Sequence, residues 1–296
     1  MTDKSLLAVM LACFAPLLTS ASPPEAAKVC NNESEWTEPT GAFRIFGDSW
    51  FVGTCGLSAI LIKSPRGHVL IDAPMEENVP ALEANIRAAG ARLEDVRAIV
   101  FSHAHHDHIG GLATLARDTG AQVHGRGFDA DMAEAGHALP GDPQLKVSRN
   151  FPPVRPVDRN VPGKPLRIGG VMLTPIATTG HTPGSTSWTW RSCEAGRCVQ
   201  MVYADSLTAV SDDDYRFSND AAHPGYLPQF KASIARIGAL RCDILLTPHP
   251  SASEMWQRFG PTAHQPAIDR KACKALSARA AAQLDERIAR ERGGQP

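Results

Sequence analysis

Apolar positions in this chain fall into short runs, and the spacing within each run separates strands from helices. "FRIFGDSWFVG" is two apolar runs around Gly47-Asp48, the pattern of a hairpin. "SAILIKS" and "HVLIDAP", joined by "PRG", predict a second strand pair. Pro80 opens a helix with Leu82, Ile86 and Ala89 on one face, and Gly90 closes it. "RAIVFS" is a short β-branched run that fits a buried strand. Leu112, Leu115 and Ala116, closed by Gly120, predict a helix after it. The second half repeats this alternation. "VMLTPIATTG" is a strand running to His181, and "STSWTWRSCEAGRCVQMVYADS" is a hairpin. Leu227, Phe230, Ile234 and Ile237 mark an amphipathic helix, and "CDILLTPHP" is a strand running to His249. From Ile268 a long helix carries Cys273, Leu276, Ala280, Leu284 and Ile288. Strands inside and helices outside predict an α/β fold, a four-layer αβ/βα sandwich. Residues 140–165, rich in Pro and Arg, predict a surface loop flanking a cleft.

The length of 296 residues suffices for one large domain with a full core. Lys and Arg number 30 against 31 Asp and Glu, a net charge of −1. With no basic stripe, nucleic acid is excluded as the main partner. Residues 1–21 have the form of an export signal: Lys4, the apolar core "LLAVMLACFAPLL", and "TSA" before Ser22. The apolar run is too short for a membrane anchor and Pro16 interrupts it. A single domain over 22–296, in the periplasm and without stable membrane association, is therefore expected. Cys13 in "MLAC" offers a second reading, a lipoprotein processing site, with Met10 where Leu is preferred. Removing the signal leaves six of seven cysteines, an even number suited to an oxidising compartment. No C-x-x-C pair exists, which argues against a thiolate zinc site. Cys193 and Cys198 face each other across a hairpin end. Six cysteines allow 15 pairings; the favoured set is Cys30–Cys55, Cys193–Cys198 and Cys242–Cys273.

"FSHAHHDHIGG", residues 101–111, packs four of the eleven histidines and an aspartate into six positions. Imidazoles gain little from crowding unless a metal ion collects them. The cluster sits where a strand hands over to a helix, the usual ligand position in layered α/β folds. His181 and His249 stand at the ends of two further strands. His103 and His105 are two apart on an extended stretch and point the same way. Asp107 and His108 follow the turn and face a second point. One ion can take His103, His105 and His181, and another Asp107, His108 and His249. Three protein ligands each leaves an open position, the mark of a catalytic rather than a structural site. Nitrogen and carboxylate donors suit zinc, with iron or manganese as lesser options. Two such ions can share a hydroxide formed at neutral pH, which Asp107 would orient while binding metal.

His103, His105, Asp107 and His108 spell H-x-H-x-D-H, and the chain resembles the metallo-β-lactamase superfamily that carries this signature. "WFVGTCGLSAILI", "DVRAIVFSH", "GHTPGSTSWTWRSCEAGRC", "QMVYADSLTAVSDD" and "CDILLTPHPSAS" look like the third subclass (B3) of the true β-lactamases, especially its three-disulfide secreted members. The resemblance covers nearly all of the chain from about residue 30. It implies two Zn2+ ions per chain on the two ligand sets above. Other subclasses place a cysteine on the second zinc, where this chain reads Ala204-Asp205-Ser206-Leu207. Ser206 and Thr208 would meet the antibiotic's carboxylate, Thr208 standing where some relatives carry Ser. The implied function is hydrolysis of the amide bond of a small-molecule β-lactam (penicillins, cephalosporins, carbapenems) by a zinc-bound hydroxide, in a monomer that confers antibiotic resistance.

The alternative within the fold is a lactonase or a glyoxalase-II-like thioesterase. Those enzymes often bridge both metals with an aspartate from the strand of Asp205, which makes Asp205 the discriminating residue. Two open ligand sets argue against a zinc-binding protein without turnover. His106 has no ligand role in the family. His68, His124, His137, His223 and His264 are isolated, as surface or satisfied structural histidines are. Asp72 fits either a partner of a metal ligand or an ordinary strand end. Trp188 and Trp190 alternate as packing residues do, and Asp212 to Asp214 form a short acidic run expected in a solvated loop.

Overall fold

The computed structural model describes residues 29–294, so the expected export signal and the alternative processing site at Cys13 lie outside the described residues. One sheet runs in chain order: β1 (Phe43–Phe46), β2 (Ser49–Phe51), β3 (Ile60–Ile62), β4 (His68–Ile71), β5 (Val96–Val100), β6 (Gln122–Gly125) and β7 (Val157–Arg159). Its first four strands are antiparallel, and β4 to β7 are parallel. The second sheet has the order β12-β11-β10-β9-β8, built from β8 (Leu166–Ile168), β9 (Val171–Ala177), β10 (Thr186–Glu194), β11 (Arg197–Tyr203) and β12 (Ile244–Leu246). Helices α1 (Val79–Ala88), α2 (His106–Ile109), α3 (Leu112–Thr119) and α4 (Gly127–Ala135) belong to the first half. The second half supplies α5 (Tyr226–Ala239), α6 (Met255–Arg258) and α7 (Ala272–Arg292). No helix among the described residues is long and apolar enough to cross a membrane.

Strand alternation explains the layers. Ile60, Ile62, Val69 and Ile71 join Leu173, Trp188, Met201 and Tyr203 in a core between the two sheets. Leu61, Leu70 and Ile99 point the other way, onto Leu82 and Ile86 of α1 and Leu112 and Leu115 of α3. On the far side, Val202 and Leu245 meet Phe230, Ile234 and Ile237 of α5 and Leu276 and Leu284 of α7. Both sheets are thus buried on two faces, which is why their strands read as unbroken apolar runs. The result is the expected αβ/βα sandwich. Trp188 and Trp190 are buried between the sheets, and each satisfies its indole N–H: Trp188 donates to Phe101 O (3.0 Å) and Trp190 to Ser49 Oγ (3.0 Å).

Several boundaries differ from expectation. β9 stops at Ala177 and β12 at Leu246, so His181 and His249 stand on the loops that follow. Pro183 and Pro248 supply no N–H there to continue a ladder. The Pro/Arg-rich segment is not all loop: Val157 to Arg159 form β7 at the sheet edge, where prolines are tolerated. Elements β6, β8 and α4 have too little apolar periodicity to be read from the sequence. The long C-terminal helix begins at Ala272 rather than Ile268.

The three favoured disulfides are present: Cys30–Cys55, Cys193–Cys198 and Cys242–Cys273. The first fastens the N-terminal segment near the metal-ligand loops, the second closes the β10–β11 hairpin, and the third fixes the start of α7 beside β12. On a chain-entropy basis, the 31-residue closure of Cys242–Cys273 contributes about 3.5 kcal/mol and the five-residue Cys193–Cys198 closure about 2 kcal/mol. Denaturant melts of C242S/C273S and C193S/C198S should show the first pair the more destabilised. The reverse order would refute this loop-length account.

Candidate metal centre and active site

The motif is clamped from both sheets as it leaves β5. Ser102 donates its N–H (2.6 Å) and hydroxyl (2.8 Å) to the two oxygens of Asp72 at the end of β4, while Thr186 N at the start of β10 donates to Ser102 O (2.8 Å). Asp72 also accepts from Tyr203 Oη (2.6 Å) and holds a left-handed backbone, φ 63°. It is therefore no ordinary strand end. Burial pushes its carboxyl up to about 8, against these hydrogen bonds. His105 is the last extended residue, and α2 then turns Asp107 and His108 toward a second point. The two glycines that close the motif permit close packing: a Cβ on Gly110 would lie 2.4 Å from His106 O, and one on Gly111 2.8 Å from Pro74 O.

The structure brings the six proposed ligands together in two groups, His103–His105–His181 and Asp107–His108–His249. Within each group the possible ligand atoms lie within 4.8 Å of one another. In the first, the far nitrogen of each ring has its own acceptor. His103 Nδ1 donates to Asp205 Oδ1 (2.8 Å), His105 Nε2 to Asp142 Oδ2 (3.1 Å), and His181 Nδ1 to Thr208 O (3.0 Å). Each bond fixes a tautomer and turns the other nitrogen's lone pair inward. His103 Nε2 is buried without any partner. In the second group Asp107 Oδ2 is 3.0 Å from His108 Nε2 and 3.4 Å from His249 Nε2, and those two nitrogens are 3.2 Å apart. Asp107 Oδ1 has no such neighbour; its nearest ion-pair atom is His106 Nδ1 at 3.8 Å.

Protonation favours metal binding. Burial, then the charges of neighbouring histidines, pushes His103 and His181 well below the usual histidine range, so their lone pairs are free at neutral pH. Burial alone would raise Asp107, but His108 and His249 hold it well below the usual carboxylate range. Burial would lower His105, and the Asp142 carboxylate raises it instead. Two buried neutral imidazoles, a third ring held by the Asp142 carboxylate, an orphaned buried nitrogen and one ionised carboxylate fit a metal of the nitrogen- and oxygen-binding kind.

Three supporting residues, Asp142, Gln144 and Asp129, belong to no motif in the sequence. Asp142 and Gln144 come from the Pro/Arg-rich segment. Gln144 Nε2 lies 3.2 Å from His181 Nε2 and 3.4 Å from His105 Nδ1, across the face of the first group. Asp129 of α4 accepts from Ala104 N (3.1 Å), Thr182 Oγ1 (2.6 Å) and Gly184 N (2.7 Å), tying the motif to the His181 loop. Asp212 corrects the expectation of a solvated acidic run. It is buried and accepts from Lys146, Asp214 and Tyr215 N–H groups, while its own N–H donates to Pro143 O. It thereby joins the loop after β11 to the loop that carries Asp142. The one signal available was polar residues spaced among prolines, which does not say which way they face.

His105 and His181 of the first group and Asp107 and His249 of the second border a cavity of about 490 Å3. Ser206, Thr208, Trp36, Val147 and Val210 line it. Thr208 Oγ1 is 3.1 Å from His181 Nδ1, so that hydroxyl is partly engaged with a proposed ligand. Trp36 stands 5.4 Å from the His249 ring and 6.2 Å from His106. His106 also borders the cavity but belongs to neither donor group. Asp205, behind His103, lies outside both as well. Of the isolated histidines, His68 accepts from Ser64 N, His223 stacks on Tyr215, and His124 is buried rather than at the surface.

A family model described as the metallo-beta-lactamase superfamily matches residues 52–196. Among solved structures, the Rm3 metallo-beta-lactamase is 42% identical with a TM-score of 0.83, covering 87% of this chain and 97% of its own. MEM-A1, a subclass B3 metallo-beta-lactamase from a soil metagenome library, is 38% identical with a TM-score of 0.84, covering 88% of this chain and 100% of its own. A hydroxyacylglutathione hydrolase of Acidiphilium cryptum is 28% identical over 166 residues, 56% of this chain and 53% of the relative. The chain thus spans about half the length of that curated relative.

If Asp142 fixes His105, Asp142→Ala should weaken metal retention at the three-histidine group about 10–100-fold. Competition with a chelating dye measures this directly. Retention equal to that of the parent protein would remove Asp142 from the metal centre.

Proposed function

Because the chain belongs to the metallo-β-lactamase superfamily, we propose that it opens β-lactam rings with a pair of zinc ions and so confers resistance to these antibiotics. His103, His105 and His181 would hold one ion, and Asp107, His108 and His249 the other. Such a pair, when bound, supplies Lewis acidity for a carbonyl and makes water acidic enough to ionise near neutrality. The rest falls to the protein. Asp107 divides its two oxygens: Oδ2 faces His108 and His249, and Oδ1 is left to accept a hydrogen bond from the attacking water. Oδ1 takes that water's proton and returns it to the lactam nitrogen as the C–N bond breaks. No side-chain nucleophile is needed, so no acyl-enzyme forms. Ser206 and Thr208 are placed to meet the substrate carboxylate, and Trp36, Val147 and Val210 give the cavity apolar walls for its substituents. Three disulfides suit an oxidising compartment, and we place the protein in the periplasm.

The observation that carries this assignment is the position of Asp205. A thioester-hydrolase reading is favoured by the curated relative above, and it needs Asp205 among the metal donors. Asp205 instead belongs to neither donor group: its Oδ1 accepts from His103 Nδ1 at 2.8 Å and from Ser206 N at 2.7 Å, while its Oδ2, at the cavity wall, has no partner. The similarity to β-lactamases along nearly the whole chain points the same way.

The zinc-loaded protein should hydrolyse a chromogenic cephalosporin and a carbapenem, and lose both activities to a chelator. Asp107→Asn keeps the size and one acceptor but removes the proton-accepting oxygen. It should lower kcat by about 10²-fold or more while the three-histidine group keeps its metal. Near-normal turnover by this variant would remove the proton-transfer role. A higher kcat/KM for a glutathione thioester than for any β-lactam would overturn the assignment itself.

A further inference from the structure

The proposed carboxylate contacts, Ser206 and Thr208, are two hydroxyls, and hydroxyls offer hydrogen bonds but no charge. One of them, Thr208 Oγ1, already lies 3.1 Å from His181 Nδ1. Yet a β-lactam carries a full negative charge beside its ring nitrogen. The wall that bears Ser206 and Thr208 continues onto α7. Leu207, between them, packs in the same buried cluster as Leu276 and Ala280. Those two residues flank Arg279 on one face of that helix, and all three line the cavity.

Arg279 is the one Lys or Arg among the described residues lining this cavity. Its Nη2 donates to Ala252 O at 3.0 Å. Ala252 in turn donates its N–H to His249 O at 3.0 Å, so the guanidinium is tethered three residues from a proposed ligand of the second metal. Among the described residues no carboxylate pairs with it, and four of its five N–H donors stay open. The anions of the cavity are already engaged: Asp107 with His108 and His249, and Asp205 with His103.

We propose that Arg279 is a specificity-determining residue whose guanidinium attracts and orients the carboxylate next to the lactam nitrogen, supplementing Ser206 and Thr208. This rests on the β-lactam assignment above. The contact exists in both the Michaelis complex and the transition state, so its loss raises KM more than it lowers kcat. If Arg279 served only to cap the turn at Ala252, substrate charge would make no difference.

The test compares one chromogenic cephalosporin as its free acid and as its methyl ester, with zinc-loaded parent protein, Arg279→Gln and Arg279→Lys. Arg279→Gln should reduce the acid-to-ester ratio of kcat/KM about five- to tenfold, mainly through KM, as expected for a partly solvated charge-assisted contact. Arg279→Lys should recover part of that ratio. High salt should narrow the ratio more in the parent than in Arg279→Gln. Calorimetry with the ring-opened acid should show its Kd weakened by a similar factor in Arg279→Gln. A ratio left unchanged by Arg279→Gln, or acid and ester falling together, overturns the role of Arg279 while leaving the lactamase assignment standing. A parent protein that turns over neither compound sinks the assignment, and this inference with it.

Discussion

Everything near the site depends on keeping neutral imidazoles buried with their lone pairs turned toward one another. Burial suppresses the charge on His103 and His181, and His103 Nε2 has no partner at all. An arrangement of this kind costs free energy without a cation. It persists only because each ring is gripped from behind, and each grip comes from a different part of the chain. Asp205 follows β11, Asp142 stands on the loop before β7, and Thr208 lies on the segment leading toward α5. Metal affinity and folding are therefore linked: a cation that repays the desolvation also stabilises the packing that presents the ligands.

The sandwich is the frame for this. Its two sheets meet across a dry core, and the motif leaves β5 pinned to both, through Asp72 on one side and Thr186 on the other. His181 and His249 come from loops following strands of the second sheet, so the two sheets must pack in register for the donor groups to form. Asp129 and Asp212 then bind loop to loop at the rim. Asp72, Asp129, Asp142 and Asp212 thus work as acceptors for N–H and hydroxyl donors, while Asp205 keeps a buried, unpartnered Oδ2 and Asp107 an Oδ1 turned away from the second ligand group.

Much of this was legible in the sequence, for reasons that can be named. Local density betrays His103 to His108, because nothing but a metal rewards it. His181 and His249 could be added because strand patterns place them at strand ends, even though the strands stop a few residues short. Strands buried on both faces give continuous apolar runs, and α1, α3, α5 and α7 show one-sided periodicity. The supporting carboxylates were not legible. Asp142 in "PGDPQ" and Asp212 in "SDDD" look like any polar loop residue, and only tertiary packing turns them inward. Arg279 on an exposed helix face was equally silent, since the cavity beside it does not exist until α7 docks on the second sheet.

In the proposed holoenzyme six side chains would hold two metal ions while Asp205 remains bonded to His103. The most direct measurement is a crystal structure of the zinc-loaded protein with anomalous scattering recorded at the zinc edge. Two peaks are expected, one enclosed by His103, His105 and His181, the other by Asp107, His108 and His249, with Asp205 still hydrogen-bonded to His103 Nδ1. A single peak at full zinc loading, or an Asp205 oxygen bridging both ions, would contradict the account.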